Sequence, residues 1–227
     1  MTDPVTTDGP RALLLSGGGR YADPWHPFAA TTVRLAALLT GCGLRVDVRD
    51  DVDDALAGLA VAPPDLLVVN VGQPRDGGPA PLPGAAADGF AAYLAGSRPL
   101  LGVHSSATSF EGFDAWEERL GGRWVRDVSM HPEHGPAAVQ VLGPHPVTAG
   151  LADFVLLDER YTHLRVQPDV TAVAGHEHEG RRHPLVWVRD ADGTRTAYDA
   201  LGHDERSYDS AEHLRLLRGV VGWLLGG

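Results

Sequence analysis

Short apolar runs punctuated by glycine, proline and aspartate set the pattern of the first half of the chain. Residues 11–16 (RALLLS) run into three glycines, as a buried strand does when it leaves a sheet edge through a flexible loop. Residues 27–39 then place Phe28, Val33, Leu35, Leu38 and Leu39 at near-helical spacing, with GCG following as a stop. Residues 44–49 alternate, whereas 65–71 (DLLVVNV) and 98–104 (RPLLGVH) are continuously apolar, and the alanine-rich stretch 83–96 between those two predicts a helix. Strands alternating with helices predict an α/β fold with a mostly parallel sheet covered by helices on both faces. Functional residues then belong at the carboxyl ends of the strands.

The second half changes texture. AAVQVL, FVLLDERYTHL, DVTAVAGH, PLVWVRD and RTAYDALGH are short strand-like runs between polar turns, predicting a β-rich extension, antiparallel or mixed. Residues 210–225 close the sequence with a helix whose apolar positions, 214, 216, 217, 220, 221, 224 and 225, form one packing side. There is no internal repeat or low-complexity tract. Residues 72–84 read as one long surface loop, residues 1–10 as a loose tail, and 11–227 as a single domain.

Composition narrows the function classes. Hydrophobic residues at 43% and charged residues at 22% match an ordinary globular chain. The 30 acids outweigh 19 bases to give a charge of −11, which disfavours nucleic acid and anionic membrane as partners. Every one of the 19 bases is arginine, which excludes Schiff-base lysine chemistry and a Walker-type phosphate loop. The single cysteine, Cys42, excludes an intramolecular disulfide framework and a multi-cysteine zinc site and fits a reducing cytoplasm. No apolar run approaches the roughly 18 residues of a membrane span.

The candidate chemistry lies at predicted strand ends. SGGGRY follows a strand, but its spacing does not match a dinucleotide fingerprint, so its functional version is a loop whose amides, at Gly18 and Gly19, meet a polar ligand. LLGVHSSAT has the form of a nucleophile elbow with His104 at its centre, and an imidazole there can act as acid, base or ligand. His26 precedes the first helix. LLDERYTHL sets Asp158, Glu159, Tyr161 and His163 after a strand, and ALGHDERSY ends another with His203. His131, Glu133 and His134 form one further cluster; His176 to Glu179 reads as an exposed loop between two strands.

In their order and spacing, ALLLSGGGRYADPWHPF, DLLVVN, PLLGVHSSATSF, LGGRWVRDVSMHP, HPVTAGLADFVLLDERYTHL, HPLVWVRD and YDALGHDERSY resemble the ThuA-like (trehalose utilisation) family. That family is a branch of the class I glutamine amidotransferase-like superfamily with a flavodoxin-like core. The superfamily's amidotransferases carry a catalytic cysteine at the elbow and a His-x-Glu late in the chain. Here the elbow holds His104, Cys42 lies elsewhere, and Glu205 is a weak substitute for the late glutamate beside His203, so thiolate-driven glutamine hydrolysis looks excluded.

The resemblance implies a role in disaccharide or keto-sugar metabolism. The matched positions are His26, His104, His131, Glu159, Tyr161 and His203. The expectation is a sugar-directed hydrolase, lyase or isomerase without a cofactor, in which His104 and His203 transfer protons and Glu159 assists. Gly18, Gly19, His26, Ser105, His131 and Tyr161 would bind substrate. Two rivals stand beside it: a hydrolase dependent on a divalent metal such as zinc, held by His104, His131, Glu159 and His203, and a non-catalytic sugar-binding or regulatory module. The expected ligand is a small sugar, and a homodimer is the base-rate expectation for assembly.

Overall fold

The computed structural model describes residues 9–72 and 81–227. The readings of residues 1–8 as a tail and of 73–80 as loop lie outside the described residues.

Strand and helix alternate through β1 (Arg11–Ser16), α1 (Phe28–Gly41), β2 (Arg45–Arg49), α2 (Val52–Gly58), β3 (Leu66–Asn70), α3 (Gly84–Leu94), β4 (Leu100–Val103) and α4 (Asp114–Leu120). With β11 (Thr194–Asp199) these strands form a parallel set in the order β2-β1-β3-β4-β11. β3 is buried along its whole length and β1 along all but its first residue. A strand covered on both faces carries apolar residues at consecutive positions, which explains the unbroken runs in the sequence. The helices form two packed groups, one for each face: α1 with α5 (Ala211–Leu224), and α3 with α2 and α4.

α2 and α4 were not foreseen. Each has seven residues, about two turns, too few for a periodic pattern to emerge. α2 is favoured by Asp53 and Asp54 in its first turn, where a helix terminus attracts negative charge. α4 stops at Gly121, whose φ of 80° supplies a left-handed cap. α3 lies close on α2 because position 89 is glycine: a Cβ there would sit 2.2 Å from the Leu56 carbonyl oxygen.

The β-rich second half continues the same sheet. Beyond β11 come β10 (Arg181–Ala191), β9 (Thr171–His178), β6 (Gly135–Val141) and β7 (Phe154–Asp158), all antiparallel, completing nine strands. The hairpin between β9 and β10 is tight, so residues 176–178 belong to a strand and the reading of His176 to Glu179 as an exposed loop is corrected. His176 is 1% exposed and pairs across the ladder with His183. Its Nε2 lies 3.2 Å from both the Tyr161 carbonyl and the Thr162 hydroxyl, polar partners that make burial of an imidazole tolerable. A separate short pair, β5 (Gly122–Arg123) with β8 (Arg165–Val166), sets Arg123 beside Arg165. No helix among the described residues is long and apolar enough to cross a membrane.

Candidate active site

The chain turns sharply at the end of β4. His104 has φ +42°, in the left-handed region, and opens a 3₁₀ turn over residues 104–108 rather than an α-helix. Such a backbone costs about 1–3 kcal/mol and persists where its surroundings hold it. Here the Tyr198 hydroxyl donates to the His104 carbonyl at 2.7 Å, and His104 Nδ1 donates to the Ala200 carbonyl, also at 2.7 Å. That leaves Nε2 to accept from the Tyr161 hydroxyl at 3.0 Å. Burial pushes the Tyr161 hydroxyl well above its ordinary pKa, so it stays a donor. Ser105, expected on the substrate side, donates instead to the Val71 carbonyl and ties the elbow to the end of β3.

Four side chains from four separate segments meet beside this elbow. His26 precedes α1, His104 follows β4, Glu159 follows β7 and His203 follows β11, and one nitrogen or carboxylate oxygen from each lies within 4.8 Å of the others. Glu159, 7% exposed, is the hub: its Oε1 is 3.3 Å from His203 Nδ1 and 3.6 Å from His131 Nε2, and its Oε2 is 3.5 Å from His104 Nε2. Burial alone would raise the pKa of this carboxyl, but His104 and His203 overcome it and hold the group ionised, well below the ordinary carboxylate range. Burial would likewise lower His203, yet the Glu159 carboxylate leaves it raised. His26 moves the other way: burial dominates and, with the neighbouring His104 and His203, outweighs the support of Asp23, whose carboxylate oxygens lie 2.8 Å from His26 Nδ1.

Glu159 reaches this point because the sheet curls. β7 is four strand positions from β11, about 19 Å across a flat sheet at about 4.8 Å per step. Yet Asp158, the last residue of β7, accepts hydrogen bonds from the backbone N–H groups of Gly202 (2.8 Å) and His203 (3.1 Å) in the loop after β11. It also accepts from the N–H of Glu159 at 2.8 Å and from the Ser207 hydroxyl at 2.5 Å. Ser207 lies 3.0 Å from His213 Nδ1, and His213 Nε2 lies 2.7 Å from Asp199 at the end of β11, so a buried polar chain joins both strand ends. Burial would lower His213, but Asp199 raises it, favouring an imidazolium between two carboxylates.

A cavity of about 980 Å³ opens onto this cluster. His26, His131, Glu159, Tyr161 and His203 line it, whereas His104, bonded to Tyr161, is off the wall. Gly18 and Gly19 are not on the wall either: Gly18 abuts Asp50 and Gly19 opens a 3₁₀ turn. The remaining wall includes residues that the sequence did not single out: Asp23, Trp25, Arg123, Trp124, Arg126 and Arg165. The tract GGRWVRD carried the available signal, two arginines around a tryptophan just before the His131 cluster.

Two of the imidazoles also have the form of metal ligands. His26 and His104 each commit Nδ1 to an oxygen partner, which leaves Nε2 as the nitrogen for the cluster. His26 takes the place in this group that the sequence suggested for His131.

A sequence model of the ThuA family, described as trehalose utilisation, matches residues 11–224. Among solved structures, a ThuA-like protein from Bacteroides uniformis has a TM-score of 0.73 at 18% identity, with 99% of this chain and 95% of that chain covered. A ThuA-like protein from Parabacteroides merdae gives 0.74 at 18% identity, over 96% and 91%. A glutamine amidotransferase from Thermotoga maritima gives 0.56 at 11% identity, over 96% and 99%, and at such identity shares the fold alone. Comparison with curated proteins gives no match.

Proposed function

The chain belongs to the ThuA (trehalose utilisation) family, and from that premise we propose that it is an enzyme acting on a small carbohydrate, a disaccharide or keto-sugar, by histidine and glutamate proton transfer. The observation that carries this reading is the meeting of His26, His104, Glu159 and His203 within 4.8 Å beside a cavity of ligand size. His26 and His203 both face the cavity, and their surroundings push them toward opposite protonation states. Groups separated in this way divide the roles of acid and base: His203 donates and His26, oriented by Asp23, accepts.

The proton-transfer pair is accordingly assigned to His26 and His203 rather than His104 and His203, because His104 is 2% exposed and off the cavity wall. His104 instead fixes the Tyr161 hydroxyl, with its Nε2 3.5 Å from Glu159 Oε2. Such a pair suits a hydrolase, lyase or isomerase, which needs one proton removed and one delivered. The test is turnover of a panel of disaccharides and their keto derivatives, with products read by mass spectrometry. His26→Ala and His203→Ala should each lower turnover by about 10²–10⁴-fold. If both leave every detected turnover unchanged, the pair is wrong.

One observation favours a metal-assisted version of the same site. His203 Nδ1 is buried without a hydrogen-bond partner among the described residues, although Glu159 Oε1 is 3.3 Å away. One candidate ligand atom from each of the four residues lies within 4.8 Å of the others, so an ion would draw them together. His26, His104, Glu159 and His203 would hold the ion. A bound divalent cation such as zinc would supply Lewis-acid activation of water or a carbonyl. Stoichiometric metal in purified protein, lost in His203→Ala, supports this version; protein that remains metal-free after incubation with zinc removes it.

A further inference from the structure

Away from the histidines, the cavity wall is built from Arg123, Trp124, Arg126 and Arg165, with Trp25 also on it. Arg123 and Arg165 are direct partners in the β5–β8 pair, so their side chains share a small area. One carboxylate serves both. Glu117 takes two hydrogen bonds from Arg165, at 2.6 and 2.7 Å, and stands 3.7 Å from Arg123 Nη1, beyond hydrogen-bond reach. Arg126 is 3.6 Å from Glu111. Among the described residues the ion pairs of these three guanidiniums run to two carboxylates, Glu117 and Glu111, in a chain whose net charge is −11.

Arg123 is the least exposed of the three. Its side chain is only 14% exposed, its Nε donates to the Trp124 carbonyl at 3.3 Å, and among the described residues its Nη groups make no hydrogen bond. A guanidinium largely covered by protein, with its Nη groups still free to donate, can take a bidentate acceptor, and carboxylates and phosphates have the matching geometry. Trp124 is fixed edge-to-face on Tyr161, ring centroids 4.7 Å apart, so this lobe adjoins the histidine cluster. Trp25, 56% exposed, adds a second indole to the wall.

We propose that this outer lobe binds an anionic group, a carboxylate or a phosphate, carried by the same small polyol whose reacting end lies at His26 and His203. The proposal rests on the functional reading above and names the substrate class within it: a sugar acid or sugar phosphate rather than a neutral sugar. Arg123 receives the anion, and Arg165 occupies Glu117 so that Arg123 stays available.

The test is calorimetric titration of the full chain with glucose, glucuronate, glucose 6-phosphate and inorganic phosphate. At least one of the two charged sugars should bind more tightly than glucose by about tenfold or more, with the advantage shrinking as salt rises from about 0.05 to 0.5 M. The stronger charged sugar identifies the source of the anion, and binding of inorganic phosphate alone points to phosphate. Arg123→Gln should abolish the advantage. Arg165→Gln should do the same by releasing Glu117 to Arg123, and it keeps the proposal falsifiable if Arg123→Gln does not fold. Equal affinity for glucose and both charged sugars overturns the proposal, as does an advantage that survives in a folded variant. Loss of turnover in His26→Ala or His203→Ala without any anion preference would leave the catalytic reading standing and remove this one. Anion preference without turnover would do the reverse.

Discussion

Replacing Asp158 by asparagine tests what brings the far edge of the sheet to the site. The buried carboxylate accepts from the N–H groups of Glu159 and His203 through Oδ1, and from the Gly202 N–H and Ser207 hydroxyl through Oδ2. Asparagine keeps the shape and one acceptor but turns the other position into a donor. The Ser207 hydroxyl can rotate and accept from the new amide, whereas a backbone N–H cannot. At least one buried N–H is left facing a donor, at about 1–3 kcal/mol, and the charge assistance of the remaining bonds is lost as well. The expected cost is about 3 kcal/mol, a large share of the 5–15 kcal/mol that holds a typical domain together, yet short of unfolding it. Urea unfolding measures it, with Asp209→Asn on the surface as a control expected within about 0.5 kcal/mol of the parent. A second readout separates positioning from bulk stability. Without the clamp the His203 loop loses its register with Glu159, and the Asp158 charge that also raises His203 is gone, so its pKa should fall back toward that of an ordinary histidine by more than loss of the minor Asp158 contribution alone, read from its imidazole proton resonances. Unchanged stability together with an unchanged His203 titration would refute the reasoning.

Further outcomes follow from the same contacts. At His104, φ +42° favours glycine, so His104→Gly should be more stable than His104→Ala by about 1 kcal/mol in chemical denaturation; the reverse order would show that the turn is not strained. Gly89→Ala should lower stability by about 1–3 kcal/mol in the same assay, because its methyl group would be driven into the Leu56 carbonyl; an unchanged midpoint would mean that α3 moves away freely. Burial lowers His176 to about 4, so the folded state keeps this ring neutral while the unfolded chain takes up a proton below about pH 6.5. Stability from this group is present above pH 6.5 and lost as the pH falls toward 4, by up to about 3 kcal/mol. His176→Asn should flatten that limb of the stability–pH curve, and an identical slope would discount the group.

What the sequence revealed follows from what each residue has to satisfy locally. β1, β3 and β4 announced themselves because strands covered on both faces must be apolar throughout. The rule that sites gather at strand ends singled out His104, Glu159 and His203, which the structure brings together. His176 was misjudged because GHEHEG has the composition of a turn, whereas the actual turn is confined to Glu179 and Gly180, with φ of 50° and 72°. Nothing in the local pattern distinguishes a histidine that pairs across a ladder from one in solvent. Asp23 was equally hidden, since its contact with His26, three residues further on, has no mark in the local pattern.

Asp158 and Glu159 show most clearly where local reading stops. They are adjacent acids at one strand end, and by composition they are interchangeable. The pleat sends their side chains to different surroundings, so one carboxylate is consumed by backbone N–H groups and the other is left among imidazoles. Neither environment exists in a flat sheet, where β7 would lie about 19 Å from β11. The cluster therefore depends on the curl of the antiparallel half. The two acids divide the work: Asp158 closes the curl from inside the protein, and Glu159 presents its charge at the place that closure creates. A substitution at Asp158 should consequently disturb the chemistry of His203 from a position that is not itself on the cavity wall, which is a consequence of topology that no strand-end motif encodes.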